Sequence, residues 1–232
     1  MRDHPDEATG LPAHQLAYLR LREMVLFGDL PPGTAVTIEG LVATLELGMT
    51  PVREAIRRLI AERALTLLGN RRVCVPYLDD AALTDLGYAR EAVEVPLALR
   101  ALAGADAELI ADLHNLDARL DSAIRAGDIP AYLRLNHDFH FHLYARAGSD
   151  VLEGLAALLW LRIGPSLRVA CHGPEGTDVT LHEPDHHKRA LAALDARDAG
   201  ALEAAIRDDI AQGVANIRAG IAQGLFGAGG KI

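Results

Sequence analysis

The chain has 232 residues, half of them apolar and about a quarter charged, and its net charge is −9, the make-up of a soluble globular protein with room for one large domain or two small ones. No apolar run approaches the ~20 residues of a membrane span, and the start "MRDHPDEATGLPAH" lacks the apolar centre of a signal peptide. Cys74 and Cys171 stand too far apart for a metal or redox pair, so a cytoplasmic protein without a disulfide framework is expected.

After a disordered tail over residues 1–13, the segment from His14 to Gly28 carries Leu16, Leu19, Met24 and Phe27 at roughly helical spacing, which predicts a first helix. "GDLPPGTAV" breaks it. Thr37 is placed to cap a second short helix, "IEGLVATLEL", which Gly48 ends. Thr50 is expected to cap a third, with Pro51 at the first helical position, where a missing N–H costs nothing. This third helix runs to about Arg63. "ALTLL" and "RRVCVPYL", joined by "GNR", read as a β-hairpin. Three helices and a small hairpin over residues 14–78 follow the order of a winged helix-turn-helix, whose third helix is the one that reads DNA.

The charge is divided in the same place. Met1 to Leu78 holds 9 Lys/Arg and 9 Asp/Glu, whereas Asp79 onward holds 14 and 23. Six arginines against Glu54 and Glu62 lie between Leu47 and Leu78. An acidic protein thus carries a local basic patch, which is the footprint of nucleic-acid binding that matters.

From Asp79 the composition turns to Leu, Ala, Arg and Glu with no strand signal. Helices are predicted at about 80–103, 106–126, 129–147, 150–170, 180–196 and 199–221, with breaks at "AGAD", "AGDIP", "AGSD", "HGPEGTD" and "ARDAG". Ala-rich helices with Gly or Asp at the joints indicate an all-α antiparallel bundle over residues 79–222. A flexible tail, 223–232, follows.

"PVREAIRRL" after a short helix, then "GNRRVCVP", then an all-helical region carrying "LNHDFHFHLYARAGS", resembles the GntR family of bacterial transcription regulators, and within it the FadR subfamily with its FCD effector domain. The resemblance covers about Leu16 to Ile217. It implies a homodimeric repressor or activator that binds a short pseudo-palindrome in double-stranded DNA and is released or reset by a small carboxylic acid.

On the predicted third helix, Arg53 and Arg57 are four apart and share a face, while Arg58 is rotated by about 100°. Arginine suits bidentate contact with guanine or phosphate. The bland alternative is a solvated face with an ion pair such as Glu54 with Arg58. Thr50 is a candidate phosphate contact. Relatives often carry Ser-Arg before "TPVREA"; this chain has Gly48 and Met49, and Met49 can touch a thymine methyl but cannot donate to guanine. Many relatives have glycine after "NR", where this chain has Arg72; with Arg71 it adds candidate phosphate or minor-groove contacts.

Six of the ten histidines fall in two clusters, His137, His140, His142 and His182, His186, His187. Asn136 and His140 are i and i+4 on one predicted helix. "DARDAG" turns the chain near Asp198, and His187 and Asp209 are equidistant from that point, so they can face each other in an antiparallel hairpin. Four O and N ligands from three helices suit a divalent cation such as zinc, nickel or manganese. The resemblance places a metal at these positions, with Asp209 standing where relatives have a third histidine; His186 is the competitor to His187, one position off. In such proteins the metal holds the effector carboxylate. Arg90 matches a family arginine and is the first candidate for a second carboxylate anchor, against a simple ion pair with Glu94. Arg162, beside Trp160, and Tyr144 are further candidates for the pocket. Two other readings compete: a metal-free acyl pocket in the same kind of regulator, and a helical metal-dependent hydrolase, for which no nucleophile or general-base motif is visible.

Overall fold

The structure, a computed structural model, describes residues 10–171 and 185–225. The N-terminal part comprises α1 (Ala13–Leu26), β1 (Val36–Thr37), α2 (Ile38–Leu45), α3 (Met49–Ala61), β2 (Thr66–Leu68) and β3 (Arg72–Cys74). Thr37 caps α2 as predicted, its hydroxyl accepting from Gly40 N at 3.0 Å. The end of α2 differs from expectation: Glu46, with a left-handed backbone at φ 54, stops it two residues before Gly48. Gly48 instead occupies the N-cap of α3, which begins at Met49 without a side-chain cap. Thr50 therefore lies inside the first turn and does not cap. Pro51 is still harmless there, because the first N–H groups of a helix have no intrahelical acceptor.

Val52, Ala55, Ile56 and Leu59 form the buried side of α3 and pack on α1 through Ala17, Leu21 and Val25. The hairpin predicted from the sequence is present, with Leu67 opposite Val73. It is joined by a strand the sequence did not reveal: β1 pairs antiparallel with β3, giving the order β1-β3-β2. At the hairpin tip Asn70 and Arg71 both adopt left-handed backbones, at φ 60 and 55.

The second part is a bundle of α4 (Asp80–Gly104), α5 (Ala107–Arg125), α6 (Ile129–Ala145), α7 (Asp150–Ala170), α8 (His186–Ala196) and α9 (Ala199–Ala222). These bounds match the predicted helices closely, except that residues 180–184 of the predicted fifth bundle helix, and His182, lie outside the described residues. The joints work because aspartate sits at them. Asp79, Asp106, Asp128, Asp185 and Asp198 each accept a hydrogen bond from the backbone N–H three residues on, the bond that best starts a helix. Inside, Leu97, Leu113, Phe139, Leu143, Tyr144 and Leu194 are fully enclosed. No described helix is long and apolar enough to cross a membrane.

The two parts meet along α7. Leu161 and Trp160 belong to the apolar cluster of the N-terminal part. Arg22 donates to Ala157 O at 3.2 Å, and Arg168 donates to Phe27 O at 3.0 Å and pairs with Asp29 at 2.6 Å. At the crossing Gly164 faces the Leu26 carbonyl so closely that a Cβ there would lie 2.2 Å from its oxygen; only glycine permits this approach.

Candidate functional site

The exposed side of α3 carries Arg53 and Arg57. Neither makes a hydrogen bond or ion pair with any described residue, so both guanidinium groups are available. Thr50 is exposed beside them, while Met49 is half-buried against the apolar cluster of the winged helix. Arg58 is engaged within the protein: its guanidinium lies 3.6 Å over the Tyr18 ring and pairs with Glu62 at 3.1 Å. The ion pair is thus with Glu62, not with Glu54, and Tyr18 completes it by donating its hydroxyl to the same carboxylate at 3.0 Å. On the hairpin, Arg72 is exposed, and Arg71 reaches Glu39 only at 3.9 Å with both side chains in solvent.

In the bundle, α6, α8 and α9 bring His140, His187 and Asp209 together. His140 Nε2 is 3.3 Å from His187 Nε2 and 3.2 Å from Asp209 Oδ2, and His187 Nε2 is 3.9 Å from Asp209 Oδ1. Donors bound to one first-row ion at ~2.1 Å lie roughly 3.0–3.4 Å apart, so the spacing fits a shared cation. Asn136, one turn before His140, lines the same cavity; it is nine-tenths buried, yet its amide has no hydrogen-bond partner among the described residues. The amide opens onto the cavity, within reach of whatever occupies it.

The protonation of the cluster follows from its surroundings. Glu94 is fully buried and accepts from Arg90 Nε at 2.6 Å, Arg90 Nη2 at 3.1 Å, Tyr144 OH at 2.8 Å and Trp160 Nε1 at 3.0 Å. Tyr144 donates its only O–H to Glu94, so its oxygen accepts from His140 Nδ1 at 3.1 Å. His140 thus uses Nδ1 on Tyr144 and turns Nε2 toward His187 and Asp209. Burial, aided by the charge of His140 and outweighing Asp209, pushes His187 down to about 4, so it is neutral near pH 7. Burial would raise Asp209, but His140, His187 and Arg90 outweigh it and hold the carboxyl well below the usual range. Two imidazoles and a carboxylate converge, a donor set suited to a borderline divalent ion.

Asp117, Asp185 and His187 also approach one another. There, however, Lys188 Nζ already sits 2.5 Å from Asp185, 2.9 Å from Asp121 and 3.5 Å from Asp117. That cluster is already neutralised by a lysine ammonium.

Arg90 pairs with Glu94 and also lines the cavity, lying 4.6 Å over the Trp160 ring. Two of its five N–H donors are used on Glu94, which leaves others for an anion. Tyr144 stands behind the cavity wall and acts through His140. Arg162 is not among the described residues lining the cavity; it is half-buried and feels the charge of Arg63 in the winged helix. His186 does border the cavity, but its Nδ1 meets Arg189 at 2.9 Å. Glu94, the acceptor that organises this side, escaped the sequence reading because an i,i+4 Arg–Glu pair looks the same on a surface.

A family model described as "FCD domain" matches residues 85–212, and one described as "Bacterial regulatory proteins, gntR family" matches residues 14–75. The HTH-type transcriptional regulator McbR of Escherichia coli K12 is 28% identical over 178 residues, 77% of this chain and 80% of McbR. The HTH-type transcriptional repressor GlaR of the same organism is 28% identical over 196 residues, 78% of this chain and 84% of GlaR. The solved structure of E. coli McbR/YncC superposes with a TM-score of 0.82 at 24% identity, covering 90% of this chain and 98% of that one, which shows a common fold.

Proposed function

The chain belongs to the GntR family of bacterial regulatory proteins and carries its FCD domain, which makes it a DNA-binding transcriptional regulator and not an enzyme; from there we propose a homodimeric repressor whose hold on a pseudo-palindromic operator is set by a small carboxylic acid bound beside a divalent metal ion. Residues 14–78 form the DNA-reading unit and 79–222 the sensor and dimerisation unit, working in the cytoplasm. One similar protein is named a repressor.

The observation that carries the reading is the set His140, His187 and Asp209 with the unpartnered Asn136 next to it, at a cavity that Arg90, an arginine with free donors, also lines. These four residues would hold zinc, nickel or manganese, and a bound ion supplies a positive centre that a carboxylate can join. Arg90 offers the second anchor, its direction fixed by Glu94 and its face covered by Trp160. Tyr144 keeps His140 in the ligating tautomer. On the DNA side, Arg53 and Arg57 contact base edges, and Thr50, Arg71 and Arg72 contact phosphates; Arg58 braces α3 against α1. A second copy covers the exposed stripe Val151, Leu155 and Leu158 on α7, spaced four and three apart.

The test pairs metal analysis with a gel shift on DNA adjoining the protein's own gene. The purified protein should hold about one ion per chain and lose it on His140→Ala, with the fold retained by circular dichroism. Protein that carries no metal, and whose melting temperature does not rise on adding zinc, nickel or manganese, would leave the metal reading without support and favour a metal-free pocket.

A further inference from the structure

Trp160 is the single tryptophan of the chain and is 3% exposed. Among the described residues it alone both lines the cavity and belongs to the apolar cluster of the winged helix. Its Nε1 donates to Glu94 Oε2 at 3.0 Å, and the Arg90 guanidinium lies over its ring. The His140 imidazole is 5.1 Å away, centroid to centroid. In the other direction the ring meets His137 and Phe141 edge-on at 5.6 and 5.8 Å. His137 in turn stacks on Phe141 at 4.2 Å and meets Phe27, the C-cap of α1, edge-on at 5.7 Å. A row of neighbouring rings thus runs from His140 to the first helix of the winged helix.

Bulk alone does not call for a tryptophan here. A phenylalanine also fills apolar space, but it has no N–H to give Glu94. Glu94 is fully buried, and its carboxylate rests on Arg90, Tyr144 and Trp160. A buried charge that loses a donor is strongly destabilised, so the three donors have to follow it. Tyr144 is bonded as well to His140 Nδ1, at 3.1 Å. Three buried hydrogen bonds, His140 to Tyr144 to Glu94 to Trp160, therefore join a residue of the metal set to the indole.

We propose that Trp160 relays occupation of the metal set to the winged helix. The proposal rests on the metal reading above. An ion that draws His140 Nε2 toward His187 and Asp209 shifts Tyr144 and Glu94 with it, and the indole follows Glu94. Packed interiors leave no slack, so the shift passes through His137 and Phe141 to Phe27 and the seat of α1. That role makes Trp160 a positioning residue, which holds neither the ion nor the DNA.

The test uses full-length protein stripped of metal, zinc alone as the probe, and DNA adjoining the protein's own gene. Zinc should change the emission of the single tryptophan. With the same midpoint it should change DNA affinity by about fivefold or more in anisotropy titrations, the lower end of ordinary coupling between sites. In Trp160→Phe, zinc should bind as in the unsubstituted protein by chelator competition, with its effect on DNA reduced to about twofold or less. Phe141→Leu keeps the indole and its bond to Glu94, so its emission should still respond to zinc while the DNA response falls; this variant carries the test if Trp160→Phe does not fold. A DNA response that survives either substitution overturns the proposal and leaves the metal reading standing. Bound zinc that leaves the emission or the DNA affinity unchanged does the same. Protein that binds no zinc removes both.

Discussion

Two glycines on the same helix should respond to the same substitution with opposite signs. Gly154 and Gly164 both lie in α7. Gly154 is exposed, and an added methyl there meets nothing within 4 Å. Gly154→Ala should therefore gain the ordinary helix-propensity difference, about 1 kcal/mol, which for a chain of this size raises the melting temperature by roughly 2–4 °C. At Gly164 the same methyl lies 2.2 Å from the Leu26 carbonyl oxygen and 3.2 Å from its carbon. To reach an ordinary contact, α1 and α7 must part by about 1 Å or more. The partner is backbone, so no rotamer change relieves it. Overpacking of this kind costs about 1–3 kcal/mol, which cancels the ~1 kcal/mol propensity gain and leaves a net loss of up to about 2 kcal/mol, a melting temperature lower by up to roughly 8 °C. Differential scanning calorimetry on the two variants, with hydrogen exchange read at the end of α1, measures both effects. If Gly164→Ala stabilises the protein as Gly154→Ala does, the close crossing of α1 and α7 described above does not exist.

Three further outcomes follow from named contacts. Arg53→Ala should weaken operator binding by about 1–3 kcal/mol if Arg53 reads a base edge, or lower the salt slope by about one if it meets a phosphate; anisotropy titrations at several salt concentrations separate the two. Arg58→Ala should instead cost about 1 kcal/mol of stability through the lost Tyr18 and Glu62 contacts, with a smaller change in DNA affinity than Arg53→Ala in the same titrations. Tyr144→Phe frees His140 Nδ1 from its acceptor and should reduce metal affinity about 10–100-fold, measured by competition with a chelator.

The helices and most of the site were legible because their signals are local or follow from simple geometry. Of the aspartates at the expected breaks, Asp106, Asp128 and Asp198 do cap helices and Asp79 caps where the bundle was expected to begin; Asp185 caps α8 unannounced, and α7 starts after Ser149 without a side-chain cap. Counting outward from Asp198 placed His187 opposite Asp209, and they do lie within 3.9 Å. What was missed depends on burial or on very short elements. A two-residue strand such as β1 has no periodicity to read. Glu94 is indistinguishable in sequence from a surface partner of Arg90, yet it is enclosed and gathers four hydrogen bonds. Arg162 was placed in the pocket through its closeness to Trp160. Two positions along a helix amount to about 200° of rotation, so the neighbour of a cavity residue faces away from the cavity. The error about Thr50 has a similar root: a glycine can take the cap position with no side chain to announce it.

Helix α7 turns Trp160, Leu167 and Ala170 toward the cavity and Ala157, Leu161, Gly164 and Arg168 toward α1. A single rigid rod thus has two clients, and it cannot move for one without moving for the other. A ligand that favours one position of α7 changes DNA affinity, where DNA also distinguishes the two positions, by at most the factor by which its own affinity differs between them. The exchange also runs backward: operator bound to the winged helix alters the affinity of the cavity as much as the ligand alters that for DNA. The number measured by titrating ligand into the DNA complex should therefore equal the number measured by titrating DNA into the liganded protein.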